Sequence, residues 1–260
     1  MNDAVLLDID GPIATITLNR PEKMNPQSEE WTEGLLDAVV RLEGDRSVRV
    51  AIVTGAGRAF CAGGDLDHPT FSTDGMEVRR PAVEQGYDLF RRIRNLPIPL
   101  IAAVNGPAAG SGVTLAAACT LRIAARSAYF ALVFVDVGVV PDQGGSFLLA
   151  QIVGMGRALH MGLTGERIDA ARALEWGLVT EVCDDNTLID RARSLAEVLA
   201  AKPPLAVRSI KQDMYDLAYR PFDEAMRIEA EHLNYLIGTD DCREALAAFR
   251  ERRPATFEGR

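Results

Sequence analysis

An apolar strand that leads through a glycine-rich loop into an apolar helix constrains this chain more than any other part of its sequence. Ile101–Val104 predict a buried strand, and the small apolar residues Val113–Cys119 predict a buried helix. Gly106, Gly110 and Gly112 lie between them and let a ligand approach the backbone closely. The first N–H groups of a helix are unpaired and carry the positive end of its dipole. The turn can therefore bind a phosphate, or an oxygen that becomes negative during a reaction.

A second glycine-rich loop, Gly55–Asp65, follows another apolar strand, Val48–Thr54. Two such turns on neighbouring strands would bring two backbone N–H groups together. A pair of this kind aimed at one carbonyl oxygen forms an oxyanion hole. Two ordinary tight turns are the alternative interpretation. Phosphate binding is less favoured, because neither loop completes G-x-G-x-x-G and the chain contains no G-x-x-x-x-G-K-[ST].

Strands alternate with helices in the first two thirds of the chain, which predicts an α/β core with crossover connections. Val5–Asp10 and Ile13–Leu18 predict a hairpin, and Ser28 predicts the N-cap of a helix that runs to about Leu42. From Asn186 onward we expect helices to the end of the chain. The other predicted elements are a polar loop over 67–81, helices over Ala82–Asn95, 144–153 and 157–163, strand-like pieces over Leu121–Ala125, Tyr129–Val137 and Val179–Val182, and a short helix from Ile168 to about Trp176.

Charge and composition exclude several classes of protein. The 28 Lys and Arg residues against 37 Asp and Glu residues give a net charge of −9, which argues against non-specific binding to nucleic acid or to an anionic membrane. The first residues have no basic start and no long apolar core, so we expect no signal peptide, and no apolar run reaches the ~18 residues that suggest a membrane span. The four cysteines lie far apart, so we expect reduced thiols, no metal site and a cytoplasmic protein.

One carboxylate near the middle of the chain has two possible roles. Asp142 follows Val139 and Val140, and from the residues alone it is best interpreted as the N-cap of a helix that begins near Gly144. The alternative is a general base in an apolar pocket that includes Phe134. Helix N–H groups would stabilise the anion, whereas an apolar pocket would destabilise it, so the two roles shift the pKa in opposite directions.

Other polar side chains have simpler interpretations. Asp136 lies in an apolar run and predicts a structural ion pair with Arg122 or Arg126. The three histidines show no metal-binding spacing, and His68 is expected at the surface, with contact to a ligand as the alternative. Ser111 lacks a G-x-S-x-G motif and a histidine placed to activate it, so a nucleophile is not favoured.

Several motifs, in the right order and spacing, resemble the crotonase (enoyl-CoA hydratase/isomerase) superfamily. The resemblance covers essentially the whole chain, and the number of motifs makes it specific. The matching segments are Asn19–Asn25, Gly57–Leu66, Ile101–Gly106, Pro141–Gly145, Leu163–Glu166 and Trp176–Val179.

The resemblance implies an α/β spiral of ββα units over residues 1–200, which holds the acyl-CoA site. It also implies a C-terminal all-helical extension over residues 201–260 that assembles a homotrimer or a dimer of trimers. The substrate would be an acyl-CoA thioester, with no metal or redox cofactor, and the oxyanion hole would be formed by the N–H groups of Gly64 and Ser111. The positions implied to contact CoA or the acyl group are Lys23, Ala62, Gly63, Asp65, Leu66, His68, Phe71, Thr114, Phe134 and Val139.

The resemblance also separates two reactions. The two glutamates of the family's hydratases fall on Thr114 and Phe134, neither of which is a carboxylate, so we expect little or no hydration. Asp142 falls where the family's double-bond isomerases have an acidic residue, which favours the base over the cap. Residues 110–145 are similar to the branch that acts on ring-epoxidised phenylacetyl-CoA and to 3-enoyl-CoA isomerases. A double-bond isomerase is the prediction; a weak hydratase and a non-catalytic acyl-CoA-binding protein are the alternatives.

Overall fold

A computed structural model describes residues 3–67, 71 and 75–260 of the chain. Strands and helices alternate through the first part, and after Cys183 every regular element is a helix. The strands are β1 (Val5–Asp10), β2 (Ile13–Leu18), β3 (Val50–Gly55), β4 (Leu100–Val104), β5 (Ala108–Ala109), β6 (Leu121–Ala125), β7 (Tyr129–Ala131), β8 (Arg167–Asp169) and β9 (Glu181–Cys183). The helices are α1 (Glu29–Gly44), α2 (Met76–Asn95), α3 (Ser111–Ala118), α4 (Gly145–Ile152), α5 (Met155–Thr164), α6 (Ala170–Glu175), α7 (Leu188–Ala200), α8 (Pro204–Asp216), α9 (Phe222–Ile237) and α10 (Asp240–Glu251).

A six-stranded sheet in the order β1-β2-β3-β4-β6-β9 forms the framework. The β1–β2 hairpin is antiparallel and every other pair is parallel. A small sheet, β5-β7-β8, lies beyond the end of β4. Because β3 and β4 are neighbouring parallel strands, the loops that follow them leave the same edge of the sheet.

Both faces of the main sheet are covered, as a parallel sheet requires. Alternate side chains of β3 point to opposite faces: Val53 joins a core cluster with Trp31 of α1, whereas Ile52 joins a second cluster with Ala192 of α7. All six residues of β3 are buried. The sheet therefore gives the loops at its carboxyl edge a rigid support.

The structure confirms the predicted hairpin and the first helix. β1 and β2 pair from Val5–Leu18 to Asp10–Ile13. The Ser28 hydroxyl accepts a hydrogen bond of 3.2 Å from the N–H of Trp31, and so caps α1.

Helix α2 begins earlier than predicted. The polar stretch 67–81 was expected to be a loop, but the helix begins at Met76 and includes Pro81. A proline near the start of a helix removes one backbone hydrogen bond, and here it does not end the helix. The amphipathic pattern through Ile93 buries one face of the helix, and this burial offsets the lost hydrogen bond.

The predicted strand over Tyr129–Val137 is wrong in its second half. β7 ends at Ala131, and Val133–Val137 form a 3₁₀ helix. β7 has only the short strands β5 and β8 as partners, so the residues after Ala131 have no backbone groups to pair with.

The end of the chain is not helical, contrary to the prediction. After α10 the backbone of Arg252 is left-handed, and residues 252–260 fold back as an irregular tail. Asp241 binds the tail, because its carboxylate accepts hydrogen bonds from the N–H groups of Glu258 and Gly259. Arg49 donates to the carbonyl of Phe257. Within the described residues no helix is both long and apolar enough to cross a membrane.

Candidate active site

The two glycine-rich loops lie against each other at the carboxyl edge of the main sheet. Cys61 and Ala108 form a parallel bridge, and the N–H of Ala109 donates to the carbonyl of Cys61 at 2.9 Å. A Cβ on Gly112 would lie 2.3 Å from the same carbonyl oxygen, so only glycine fits there. The two loops are therefore neighbours, as the sequence predicted.

Two asparagines hold the first loop in shape. Asn25 is fully buried, and its amide donates to the carbonyls of Ala56 and Ala59. Asn105 follows β4; its Oδ1 accepts from the N–H of Gly55, and its Nδ2 donates to the carbonyl of Gly57. The motifs that contain Asn25 and Asn105 therefore position the loop backbone.

The two loops place the unpaired N–H groups of Gly64 and Ser111 at one cavity. The carbonyl of Gly63 and the N–H of Asp65 both bond to Gln27, so the N–H of Gly64 between them points the other way. Ser111 begins α3, where N–H groups have no partner within the helix. Neither N–H, of Gly64 or of Ser111, donates to any acceptor in residues 3–67, 71 and 75–260.

Gly64 and Ser111 line one cavity of about 190 Å³. Its wall is mostly apolar, and the helix α2 forms one side of it. The lining residues are Gln27, Gly64, Phe71, Ala82, Val83, Tyr87, Ser111, Phe134, Val139, Val140, Asp142 and Gln143. Of the predicted acyl-contacting residues, Phe71, Phe134 and Val139 belong to this wall.

Asp142 faces this cavity and does not cap α4. The N-cap of α4 is Gly144, and no side chain caps the helix. Gln143 and Gly144 both have left-handed backbone, with φ of 52° and 90°, so the chain reverses between Asp142 and the helix. Burial raises the pKa of Asp142 to about 6, and a hydrogen bond from its own backbone N–H lowers the pKa by a smaller amount.

Unpaired buried polar atoms are concentrated here. Within the described residues, five buried side-chain atoms have no hydrogen-bond partner. Four of them, Ser111 Oγ, Thr114 Oγ1, Asp142 Oδ1 and Gln143 Oε1, belong to α3 and the turn before α4. Natural proteins satisfy nearly all such atoms, so this arrangement is typical of a site that receives a ligand.

The predicted CoA-contacting residues lie on the outer side of the first loop. Lys23 is exposed at the end of a 3₁₀ turn, and the N–H of Ala62 donates to the neighbouring Met24 carbonyl at 2.9 Å. Leu66 is 68% exposed, and Asp65 lies 3.6 Å from the guanidinium of Arg20.

One predicted contact position, Thr114, does not line the cavity, and another, His68, is not described. Thr114 is fully buried behind the cavity wall, where its Oγ1 would lie 2.6 Å from a Cβ on Gly145. His68 lies outside the described residues, so its predicted contact stays a prediction.

Sequence analysis missed several lining residues. Gln27, Tyr87 and Gln143 carry the polar groups among them, and Ala82 and Val83 lie on α2. The helical period of α2 could have shown which of its residues share a face. It could not show that this face lines the cavity, because the loops on the other side of the cavity are distant in the sequence.

The predicted ion pair of Asp136 is wrong. Asp136 is exposed, Arg122 donates to the carbonyls of Leu178 and Cys119, and Arg126 pairs with Asp184. The apolar run that suggested burial forms a 3₁₀ turn in which Val135 and Val137 are exposed. All four cysteines are free, as expected.

Known proteins resemble this chain over its full length. Residues 8–260 match the enoyl-CoA hydratase/isomerase family. The 1,2-epoxyphenylacetyl-CoA isomerase of Escherichia coli K12 is 38% identical, with 100% of each chain covered. The (E)-benzylidenesuccinyl-CoA hydratase of Thauera aromatica is 36% identical over 98% of this chain and 99% of that one.

A crystal structure of an enoyl-CoA hydratase from Bacillus anthracis is 34% identical and superposes with a TM-score of 0.94, covering 99% of this chain and 100% of that one. The resemblance and the fold class inferred from the sequence are therefore confirmed. The chain belongs to the crotonase (enoyl-CoA hydratase/isomerase) superfamily.

Proposed function

We propose that this protein is a double-bond isomerase of enoyl-CoA thioesters, with Asp142 as its single acid–base group. The observation that carries the proposal is the half-buried carboxylate of Asp142, whose Oδ1 is buried and unpaired, in the cavity that Gly64 and Ser111 also line. No second carboxylate is found among the described residues that line it.

The chemistry needs one base and an oxyanion hole. Asp142 removes a proton from C2 of a 3-enoyl thioester, and the electrons move onto the thioester oxygen. The N–H groups of Gly64 and Ser111 stabilise that negative charge, which contributes roughly 10²–10³ in rate for each such donor. The protonated carboxyl then returns the proton to C4 as the double bond forms between C2 and C3.

The surroundings of Asp142 suit both halves of this reaction. A carboxyl with a pKa of about 6 is ionised at neutral pH and is a stronger base than an ordinary aspartate. The apolar wall, with Phe134 and Val139, excludes water that would otherwise compete for the proton.

Hydration is disfavoured by the same wall. It requires a water molecule that is held and deprotonated, which the family's paired glutamates do. Phe134 presents a phenyl ring at one of these positions, and Thr114 is buried behind the wall at the other.

The comparisons support an acyl-CoA thioester as the substrate, and they do not distinguish isomerisation from hydration. One relative is named as an isomerase of a ring-derived CoA thioester and another as a hydratase of one. We therefore include ring-derived acyl groups beside linear 3-enoyl groups as substrates.

A direct comparison of the two reactions tests the proposal. Purified protein is assayed with trans-3-hexenoyl-CoA for isomerisation and with crotonyl-CoA for hydration. We expect isomerisation to exceed hydration by about a hundredfold or more in kcat/KM, the usual size of a general-base contribution. Hydration as fast as isomerisation, or binding of both thioesters with no turnover, would contradict the proposal.

We also propose that the helices after residue 200 assemble a homotrimer or a dimer of trimers. None of the residues of α9 is buried, and Phe222 and Phe249 are 75% and 85% exposed. Apolar exposure of this extent suits an interface between subunits. A mass of one chain in light scattering would contradict this proposal.

A further inference from the structure

Gln143 holds a backbone conformation that favours glycine. Its φ is 52°, and a side chain with a Cβ is strained in this left-handed region. Glycine at this position would form the same turn without that strain. Strain that persists beside a candidate active site indicates that the side chain itself has a role.

The side chain of Gln143 reaches α2. A Cβ on Gly86 would lie 2.9 Å from Gln143 Nε2, and 3.8 Å from Gln27 Nε2. The amide therefore packs against the one position of the helix that has no side chain. Gln143 lines the cavity, and its Oε1 is buried without a hydrogen-bond donor.

A buried amide oxygen without a donor is costly, and a ligand that supplies the donor recovers that cost. Val83, Phe134, Val139 and Val140 of the wall are apolar, and the other side-chain donors of the lining, on Gln27, Tyr87 and Ser111, do not bond to Oε1. A ligand in the cavity that carries a donor would supply the missing hydrogen bond.

We propose that Gln143 determines specificity by hydrogen bonding to a hydroxyl group on the acyl part of the substrate, beyond its reacting carbons. The inference rests on the proposed acyl-CoA site and names the substrate class for it. A hydroxyl can donate to Oε1 or accept from Nε2, so it fits either orientation of the amide.

The charges at the site favour a neutral hydroxyl over a carboxylate. No lysine or arginine is among the described residues that line the cavity, and Asp142 adds negative charge next to Gln143. A second carboxylate on the acyl group would be buried without a partner and repelled. The same wall accepts the rest of an alkyl or ring group.

Binding of non-reacting thioesters tests this inference apart from catalysis. The ligands are saturated pairs that differ only in a terminal hydroxyl or methyl: 5-hydroxypentanoyl- and hexanoyl-CoA, 6-hydroxyhexanoyl- and heptanoyl-CoA, and 7-hydroxyheptanoyl- and octanoyl-CoA. Calorimetry gives the ratio of the two dissociation constants for wild type and for Gln143→Met, which keeps the shape of the side chain without its amide.

We expect the Gln143→Met substitution to shift the ratio against the hydroxyl ligand by about three- to tenfold in at least one pair, the size of one net hydrogen bond. Gln143→Gly should shift it similarly and relieves the left-handed strain, so it serves if the methionine variant folds poorly. Gln212→Met, an exposed site on α8, should leave the ratio unchanged.

The same ratio in wild type and both Gln143 variants, for all three pairs, would overturn the inference. Failure of the wild type to bind any of the thioesters would overturn it together with the proposed acyl-CoA site. A shifted ratio in a protein that does not isomerise 3-hexenoyl-CoA would support the inference and contradict only the proposed reaction.

Discussion

Two aspartates of this protein, the half-buried Asp142 before α4 and the buried Asp241 in α10, have opposite surroundings. Asp241 is 3% exposed, and its two oxygens accept hydrogen bonds of 2.8 and 2.9 Å from the N–H groups of Glu258 and Gly259. Asp142 has an Oδ1 with no donor at all. One carboxylate binds the chain's own tail, and the other faces an apolar cavity.

The difference separates a structural carboxylate from a reactive one. Hydrogen bonds to a carboxylate stabilise its charge and lock its position, which suits a link between α10 and the tail. Burial without such bonds destabilises the charge and makes the carboxylate a stronger base. The unpaired N–H groups of Gly64 and Ser111 line the same cavity as Asp142. They do not bond to the carboxylate, so they are free to stabilise a negative charge on a substrate.

The largest expected effect is on catalysis. Replacing Asp142 by asparagine removes the base and keeps the size of the side chain, so isomerisation of 3-hexenoyl-CoA should fall by roughly 10²–10⁴ in kcat. Asp136→Asn is the matched control, because this exposed carboxylate six residues earlier should leave kcat unchanged. Equal activity of Asp142→Asn and wild type would show that Asp142 is not the base, and that it is no more reactive than Asp241.

Stability should change in opposite directions at the two sites. Asp241→Ala removes the acceptor of two part-buried N–H groups and should lower the free energy of unfolding by about 1–3 kcal/mol. Asp142→Asn should raise it by up to about 3 kcal/mol near neutral pH, because an amide avoids a charge whose pKa is raised by burial from 3.8 to about 6, at 1.36 kcal/mol per pKa unit. Urea titrations of both variants measure the two differences.

The sign of the second effect depends on pH. The folded pKa of Asp142, about 6, lies above its ordinary value of 3.8, so its contribution to stability is fully present below 3.8 and is lost as the pH rises through about 6. The stability gain of Asp142→Asn should therefore vanish at pH 3.8 and below. A gain that does not depend on pH would have another cause.

The sequence predicts the parts of the fold that local patterns decide. The alternation in β1 and β2, and Ser28 before α1, are sufficient because each acts on residues nearby in the chain. The length of β7 was wrong because its partners β5 and β8 set it, and β8 comes later in the chain. The start of α2 was wrong because the polar composition of residues 67–81, with its Pro and Gly, was interpreted as a loop.

In the candidate site, too, local patterns could be predicted from the sequence, and contacts between distant elements could not. The glycine-rich loops and Asp142 could be named from motifs, which fix backbone geometry and residue type. The orientation of Asp142 depends on the left-handed backbone of Gln143 and Gly144, and Gln143 meets Gly86 from a distant helix. No local pattern encodes those contacts, so sequence analysis left the cap and the base as alternatives.

The pH dependence of isomerisation tests the central claim most directly. A pantetheine thioester of 3-hexenoic acid is the substrate of choice, because it has no phosphate that titrates in the same range. We predict that kcat/KM of the wild type rises with pH through a single ionisation near 6, as the base loses its proton, and is constant above it. Half-maximal activity near pH 4, the value of an ordinary aspartate, would contradict the account of Asp142 as a base tuned by burial.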